Sequence, residues 1–177
     1  EREISLQVKD DSRMWNWIKF IGLFLLSLIA VLTIIIFSKG FSPYKDVEQF
    51  AEQLAVEKNY VQTVDRTTVY NGQHAYVTVY GTDQKGIKRA VFVPVEKEYR
   101  ETLEKYPTVI LKDGFPAEEA VKKVREKVEV VDVMHVRLGY EQEEPIWEIV
   151  TKGKKGEMNY SYLSFKDGKW KKNILNL

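Results

Sequence analysis

The segment Phe20–Phe37, FIGLFLLSLIAVLTIIIF, runs 18 residues without a charge and constrains this chain more than any other feature. At about 1.5 Å per residue a helix of that length covers roughly 27 Å, and one flanking residue closes the gap to a hydrocarbon core of about 30 Å. No amphipathic stripe appears in it, which argues against a buried core helix. It exceeds the apolar region of a secretory signal, and the following SKGFSP carries no small-residue cleavage site. The sequence therefore predicts an uncleaved transmembrane anchor over residues 18–38, preceded by a tail over 1–17. Trp15 and Trp17 before the span, and Phe41 and Tyr44 after it, stand where interfacial aromatic belts form. Lys9, Arg13 and Lys19 on the N-terminal side, against Lys39 and Lys45 on the other, favour a cytoplasmic N-terminus and an exported C-terminal part.

A mean hydropathy of −0.34 hides this division, because every charged residue lies outside the run. The charges nearly cancel, with 27 Lys and Arg against 26 Asp and Glu, so no global field recruits nucleic acid. Zero cysteine excludes disulfide scaffolds, thiolate metal sites and thiol nucleophiles.

Beyond the membrane, Ser42 and Pro43 form a cap and first position for a helix whose apolar residues Val47, Phe50, Ala51, Leu54 and Ala55 share one face. Strands follow at Tyr60–Tyr70, His74–Tyr80 and Ile87–Val95. Asn71-Gly72 is the strongest hairpin signal in the chain, and Pro94 belongs at a sheet edge or strand end. On the second of these strands Val77 and Val79 share one face, Tyr76 and Tyr80 the other. The mostly charged stretch from Glu96 to Tyr106 reads as a connecting helical turn.

After Gly114-Phe115-Pro116 the pattern returns, with Ala117, Ala120, Val121 and Val124 on a helix and strands at Val130–Tyr140, Ile146–Thr151, Met158–Phe165 and Lys169–Leu175. An offset of 70 maps Val47, Phe50, Ala51 and Leu54 onto Ala117, Ala120, Val121 and Val124, and Gly86 onto Gly156. The chain thus reads as an α+β fold: an N-terminal transmembrane helix followed by two tandem α-β-β-β units with antiparallel sheets. The first unit covers 39–96, a connector 97–115, and the second unit 116–177. A lone unit of this size is marginally stable, so the two are expected to pack together.

No arrangement of residues announces catalysis. His74 and His135 lie in strand patterns without a metal-ligand spacing, and the acids around Glu98 and Glu101 alternate with lysines as on a solvated helical face. No nucleophile elbow or phosphate loop occurs. The expectation is a protein that is not an enzyme, with no catalytic or metal residues and no cofactor. Binding candidates remain. Tyr76 and Tyr80 are side chains for an interface formed by strand addition, although packing between the two units explains them equally well. Lys152, Lys154 and Lys155 mark a cationic C-terminal third, which also reads as a soluble hairpin tip. Trp170 follows a turn between lysines.

Three stretches, AYVTVYGTDQKGIKRAVFVPVEKE at 75–98, GFPAEEAVKKV at 114–124 and IWEIVTKGKKGEMNYSYLSFKDGKWKKNI at 146–174, resemble the YpmB/TseB-like cell-wall elongation regulators of Firmicutes. That resemblance implies tandem PepSY-like, cystatin-like domains outside a Gram-positive cell, held by one helix in the lipid bilayer. It further implies association with an elongation-type class B penicillin-binding transpeptidase, and regulation of peptidoglycan synthesis during cell elongation. The alternative on the same fold is a PepSY-type inhibitor or modulator of a cell-surface peptidase. An anionic wall polymer is a further candidate partner for the lysines, and nucleic acid is not expected.

Overall fold

The uncharged run lies within a 39-residue helix, α1 (Arg2–Gly40), in a computed structural model that describes the backbone at 2–40 and 44–175 and the side chains at 14–36 and 44–175. Its segment Met14–Ile36 is 23 residues long with a mean hydropathy of 2.6 and no buried side chain. At about 1.5 Å per residue it measures some 35 Å, enough to cross a bilayer. The two hydroxyls inside it are satisfied locally, Ser27 donating to Phe24 O and Thr33 to Ile29 O, both at 2.8 Å. In hydrocarbon, which supplies no partner, such back-bonding is how a hydroxyl is accommodated. The helix is longer than the expected 18–38 at both ends, since the tail from Arg2 and residues 39–40 continue it. Phe41, Ser42 and Pro43 lie outside the described residues.

The second compact body, Tyr44–Leu177, holds everything else. Helix α2 (Lys45–Glu57) precedes strands β1 (Thr63–Asn71), β2 (Ala75–Thr82) and β3 (Lys88–Pro94), then short α3 (Lys97–Thr102) and β4 (Thr108–Ile110). Helix α4 (Ala117–Arg125) opens the second half, followed by β5 (Asp132–Glu141), β6 (Glu144–Lys152), β7 (Met158–Ser164) and β8 (Trp170–Ile174). Each half is an antiparallel meander of four strands in sequence order. The fourth strand of the first sheet, β4, comes from the segment read as a connector. Its three residues carry too short a pattern for periodicity to register.

The repeat is real in three dimensions, but its offset changes along the chain. Thr63–Thr82 and Asp132–Lys152 are equivalent register pairs, each followed two residues later by a bulge, at Asp65 and Met134. Tyr70 pairs with Tyr76 where Gly139 pairs with Ile146. The first strands are therefore 69 residues apart and the second strands 70, the extra residue falling in the second hairpin. The helices follow the smaller offset: the buried pair is Ala51 and Ala55 on α2, and Ala120 and Val124 on α4. This corrects the sequence alignment of the helices by one residue.

The hairpins differ accordingly. Gln142 and Glu143 both take positive φ, 49° and 61°, as a two-residue turn of primed type requires. At Asn71-Gly72 the loop is longer, and Gly72 is needed for a different reason: a Cβ there would stand 2.4 Å from the Tyr70 ring.

Alternation along β2 sorts the first sheet's two faces as expected. Val77, Val79, Val91 and Val93 pack beneath Ala51 and Ala55, whose small side chains let α2 lie close to the sheet. The opposite face, with Tyr70, Tyr76, Tyr80 and Phe92, joins a second core that includes Ala120, Val124, Leu138, Trp147, Ile149 and Leu163. One hydrophobic core therefore spans both repeats.

Candidate binding surface

The junction of the repeats decides which side chains are left for a partner. Tyr76 and Tyr80 are only 2 % and 3 % exposed. Tyr76 meets Tyr140 edge-on at 5.6 Å, and Tyr80 accepts a hydrogen bond from Leu138 N at 3.1 Å. Thr78, between them, donates to Leu138 O at 2.7 Å. Two side chains of β2 thus satisfy the N–H and C=O of one residue on the edge strand β5, which backbone pairing would otherwise do. Arg137 Nη1 donates to Val69 O at 3.1 Å across the same seam. The tyrosine pair is consequently internal to the protein, and the expectation that it meets a partner is corrected by this burial.

The other expected residues are distributed over separate surfaces. Trp15 and Trp17 are exposed on α1, with Lys19 Nζ 5.6 Å from the Trp15 ring. Tyr44 is exposed at the start of the second body. Lys152, Lys154 and Lys155 are exposed at the β6–β7 hairpin, where Lys154 pairs with Glu129, whose carboxylate raises the lysine pKa. Trp170 is half-buried under Lys127, whose Nζ lies 5.2 Å from the ring, so it is less available than its position after a turn suggested.

Neither histidine has a metal-binding environment: among the described residues no group of three or more His, Cys, Asp or Glu side chains is placed to hold an ion. His74 stacks on Tyr99 at 4.5 Å and lies 3.1 Å from Glu96. His135 lies 3.1 Å from Glu148 Oε1, while Tyr162 donates to Oε2 at 3.1 Å. Glu148 is buried at 6 % exposure, and burial together with its charge pushes the Tyr162 phenol well above its usual range. These contacts make a partnered polar cluster on the sheet, of the kind that burial of a carboxylate demands.

A concave site that the sequence did not indicate lies between the two repeats. This cleft, of about 650 Å³, has Arg66, Tyr80 and Lys88 on one wall and Phe115, Ala117 and Trp147 on the other. Its volume falls in the range of natural ligand clefts, about 300–1,000 Å³. The Arg66 guanidinium lies over the Tyr80 ring at 3.7 Å. Lys88 Nζ pairs with Asp65 at 3.1 Å. Trp147, which lines the cleft, is fixed by its Nε1 donating to Phe115 O at 2.8 Å. The lining comes from β1, β2, β3, the segment 111–116, α4 and β6, from Asp65 to Trp147 in the chain, so no local pattern could have revealed it.

Comparison with known proteins finds similarity to one family. Residues 51–94, from α2 through β3, match the model of the cell wall elongation regulator TseB-like domain. The chain is 27 % identical over 157 residues to a protein of Bacillus subtilis (strain 168) named probable cell wall elongation regulator TseB, covering 88 % of this chain and 94 % of that protein. A solved structure, the YpmB protein from Bacillus subtilis, superposes with a TM-score of 0.60 at 29 % identity, over 71 % of this chain and 94 % of its own. The sequence similarity and the shared fold point the same way, and the chain is similar to the TseB/YpmB family of cell wall elongation regulators.

Proposed function

We propose that this protein is a non-enzymatic, membrane-anchored regulator of cell wall elongation that acts by binding another membrane protein, an elongation-type class B penicillin-binding transpeptidase. The observation that carries the reading is similarity to a probable elongation regulator over 88 % of the chain, spanning the helix-plus-meander architecture rather than one motif. The apolar helix Met14–Ile36 supplies the anchor. Confinement to a bilayer raises the effective concentration of two anchored proteins for each other, so a modest surface suffices for association. The basic residues before the span support an orientation with the tail in the cytoplasm and the body at 44–177 outside.

Orientation is testable directly because the chain has no cysteine. A single cysteine at Lys154 is expected to react with a membrane-impermeant maleimide in intact cells, and one at Gln7 only after lysis; the reverse pattern overturns the orientation. Photocrosslinkers placed at exposed positions such as Lys112, Gln84 and Lys154 are expected to capture the transpeptidase. Capture of no wall-synthesis enzyme from any position, with unchanged cell shape after deletion, overturns the function.

A further inference from the structure

The cleft between the repeats has an anionic-ligand character that its lining spells out. Arg66 stacks on Tyr80 and has no ion-pair partner among the described residues, nor has Lys112 on the far side. Asp65 is already tied to Lys88, which leaves Glu118 as the rim's other carboxylate against this surplus of cations. A guanidinium held flat on a ring is preorganised for bidentate contact with a carboxylate. Between the cations the walls are apolar, from Leu111, Phe115, Ala117 and Trp147.

The cleft also has a length. Arg66 stands on β1 and Lys112 in the 3-10 turn Leu111–Asp113 that follows β4, so their backbone positions lie about the width of the four-stranded sheet apart. Three strand spacings of about 4.8 Å make roughly 14 Å. An extended chain rises about 3.4 Å per residue, so four steps cover that distance, and residues i and i+4 project to the same side.

From this we infer that the cleft binds an extended segment of a partner protein carrying two carboxylates four residues apart with apolar residues between them. The inference rests on the reading of the protein as one that binds a partner, and it names the chemistry of the segment. One carboxylate meets Arg66, the other Lys112, and the apolar side chains cover Phe115 and Trp147.

The test uses the full chain in phosphatidylcholine nanodiscs and a fluorescein-labelled pentapeptide, Glu-Leu-Val-Leu-Glu, read by anisotropy. The acidic peptide is expected to bind, and Lys-Leu-Val-Leu-Lys to bind at least tenfold more weakly. Arg66→Glu and Lys112→Glu are each expected to weaken the acidic peptide at least tenfold, and Ala117→Trp to block it. Lys58→Glu, exposed and outside the cleft, should leave it unchanged. Arg66→Gln serves as a second variant if the charge reversal lowers the thermal midpoint. Absence of binding, equal binding of both peptides, or indifference to the cleft substitutions overturns the inference. Crosslinking to the transpeptidase separates it from the underlying reading: crosslinking that persists without peptide binding defeats the cleft alone, while peptide binding without any crosslink defeats the regulatory function alone.

Discussion

Residues at the seam between the repeats make the sharpest demands. Leu138 sits on an edge strand with its N–H bonded to Tyr80 and its C=O to Thr78. Tyr80→Phe keeps the ring and strands a buried N–H, which costs about 1–3 kcal/mol. Urea unfolding should show a lower midpoint with an unchanged m-value; a midpoint equal to the wild type would mean water replaces the phenol. Gly139, next along, faces Tyr70 so closely that a Cβ would lie 2.5 Å from the ring's root carbon. That atom cannot swing away without changing the rotamer of a side chain 1 % exposed. Gly139→Ala should therefore destabilise by about 1–3 kcal/mol through overpacking, measurable as a lowered Tm. The role of these two positions was not legible in the sequence. The alternation of β2 correctly grouped Tyr76 with Tyr80, but periodicity says only which residues share a face. What covers that face arrives some 60 residues later in the chain, and no local pattern carries that information.

At the scale of elements the sequence was more informative, because helix stripes, alternation and turn residues are local. The chain's equivalent β2–β3 and β6–β7 turns show how two sequences reach one geometry. In the first, Asp83 Oδ1 accepts from Lys85 N and Ile87 N while Oδ2 accepts from Arg89, and Gly86 takes φ 76°. In the second, Gly153 replaces the aspartate, Gly156 takes φ 87°, and Glu157, just before β7, accepts from Lys155 N. The glycine was readable in both, the swapped carboxylate in neither. The Ile87 amide, with the other donors, holds the Asp83 carboxyl below its usual range, and at the β7–β8 turn Lys169 holds Asp167 at about 2. Both folded-state values are depressed, so their stabilising contribution is present above the unfolded value of 3.8 and fades as pH falls through the folded one. Acid titration of thermal stability should accordingly steepen below pH 4. Asp83→Asn and Asp167→Asn together should flatten that limb, and an unaltered profile would assign the acid loss to other carboxylates.

For the molecule as a whole, the decisive fact is that the second core draws on both repeats. Tyr70, Tyr76, Tyr80 and Phe92 come from the first sheet, and Leu138, Trp147 and Leu163 from the second. Separated, the first repeat would keep its α2 core but expose a face of four large aromatic side chains, and the second would uncover the edge of β5. Units of about 65 residues bury only some 60 % of their unfolded surface, which leaves little margin for such a loss. The body at 44–177 is thus expected to unfold in one transition, with tryptophan fluorescence and far-UV circular dichroism giving the same urea midpoint. Trp147 and Trp170 both lie in the second repeat, so fluorescence from a variant with Trp15 and Trp17 replaced by Phe reports that repeat alone, while circular dichroism also follows the first. Coincidence of the two probes shows that the repeats act as one rigid platform; separated midpoints would show that they melt independently. A sharper form follows from the seam. Tyr70→Ala removes a ring that packs on Gly139 and lies near Glu141 and Glu148. It should lower both midpoints together by weakening the shared core, rather than the first repeat's alone. A cleft whose two walls belong to different repeats keeps its width only if that coupling holds, so the same measurement bears on whether the protein can recognise a segment of fixed spacing.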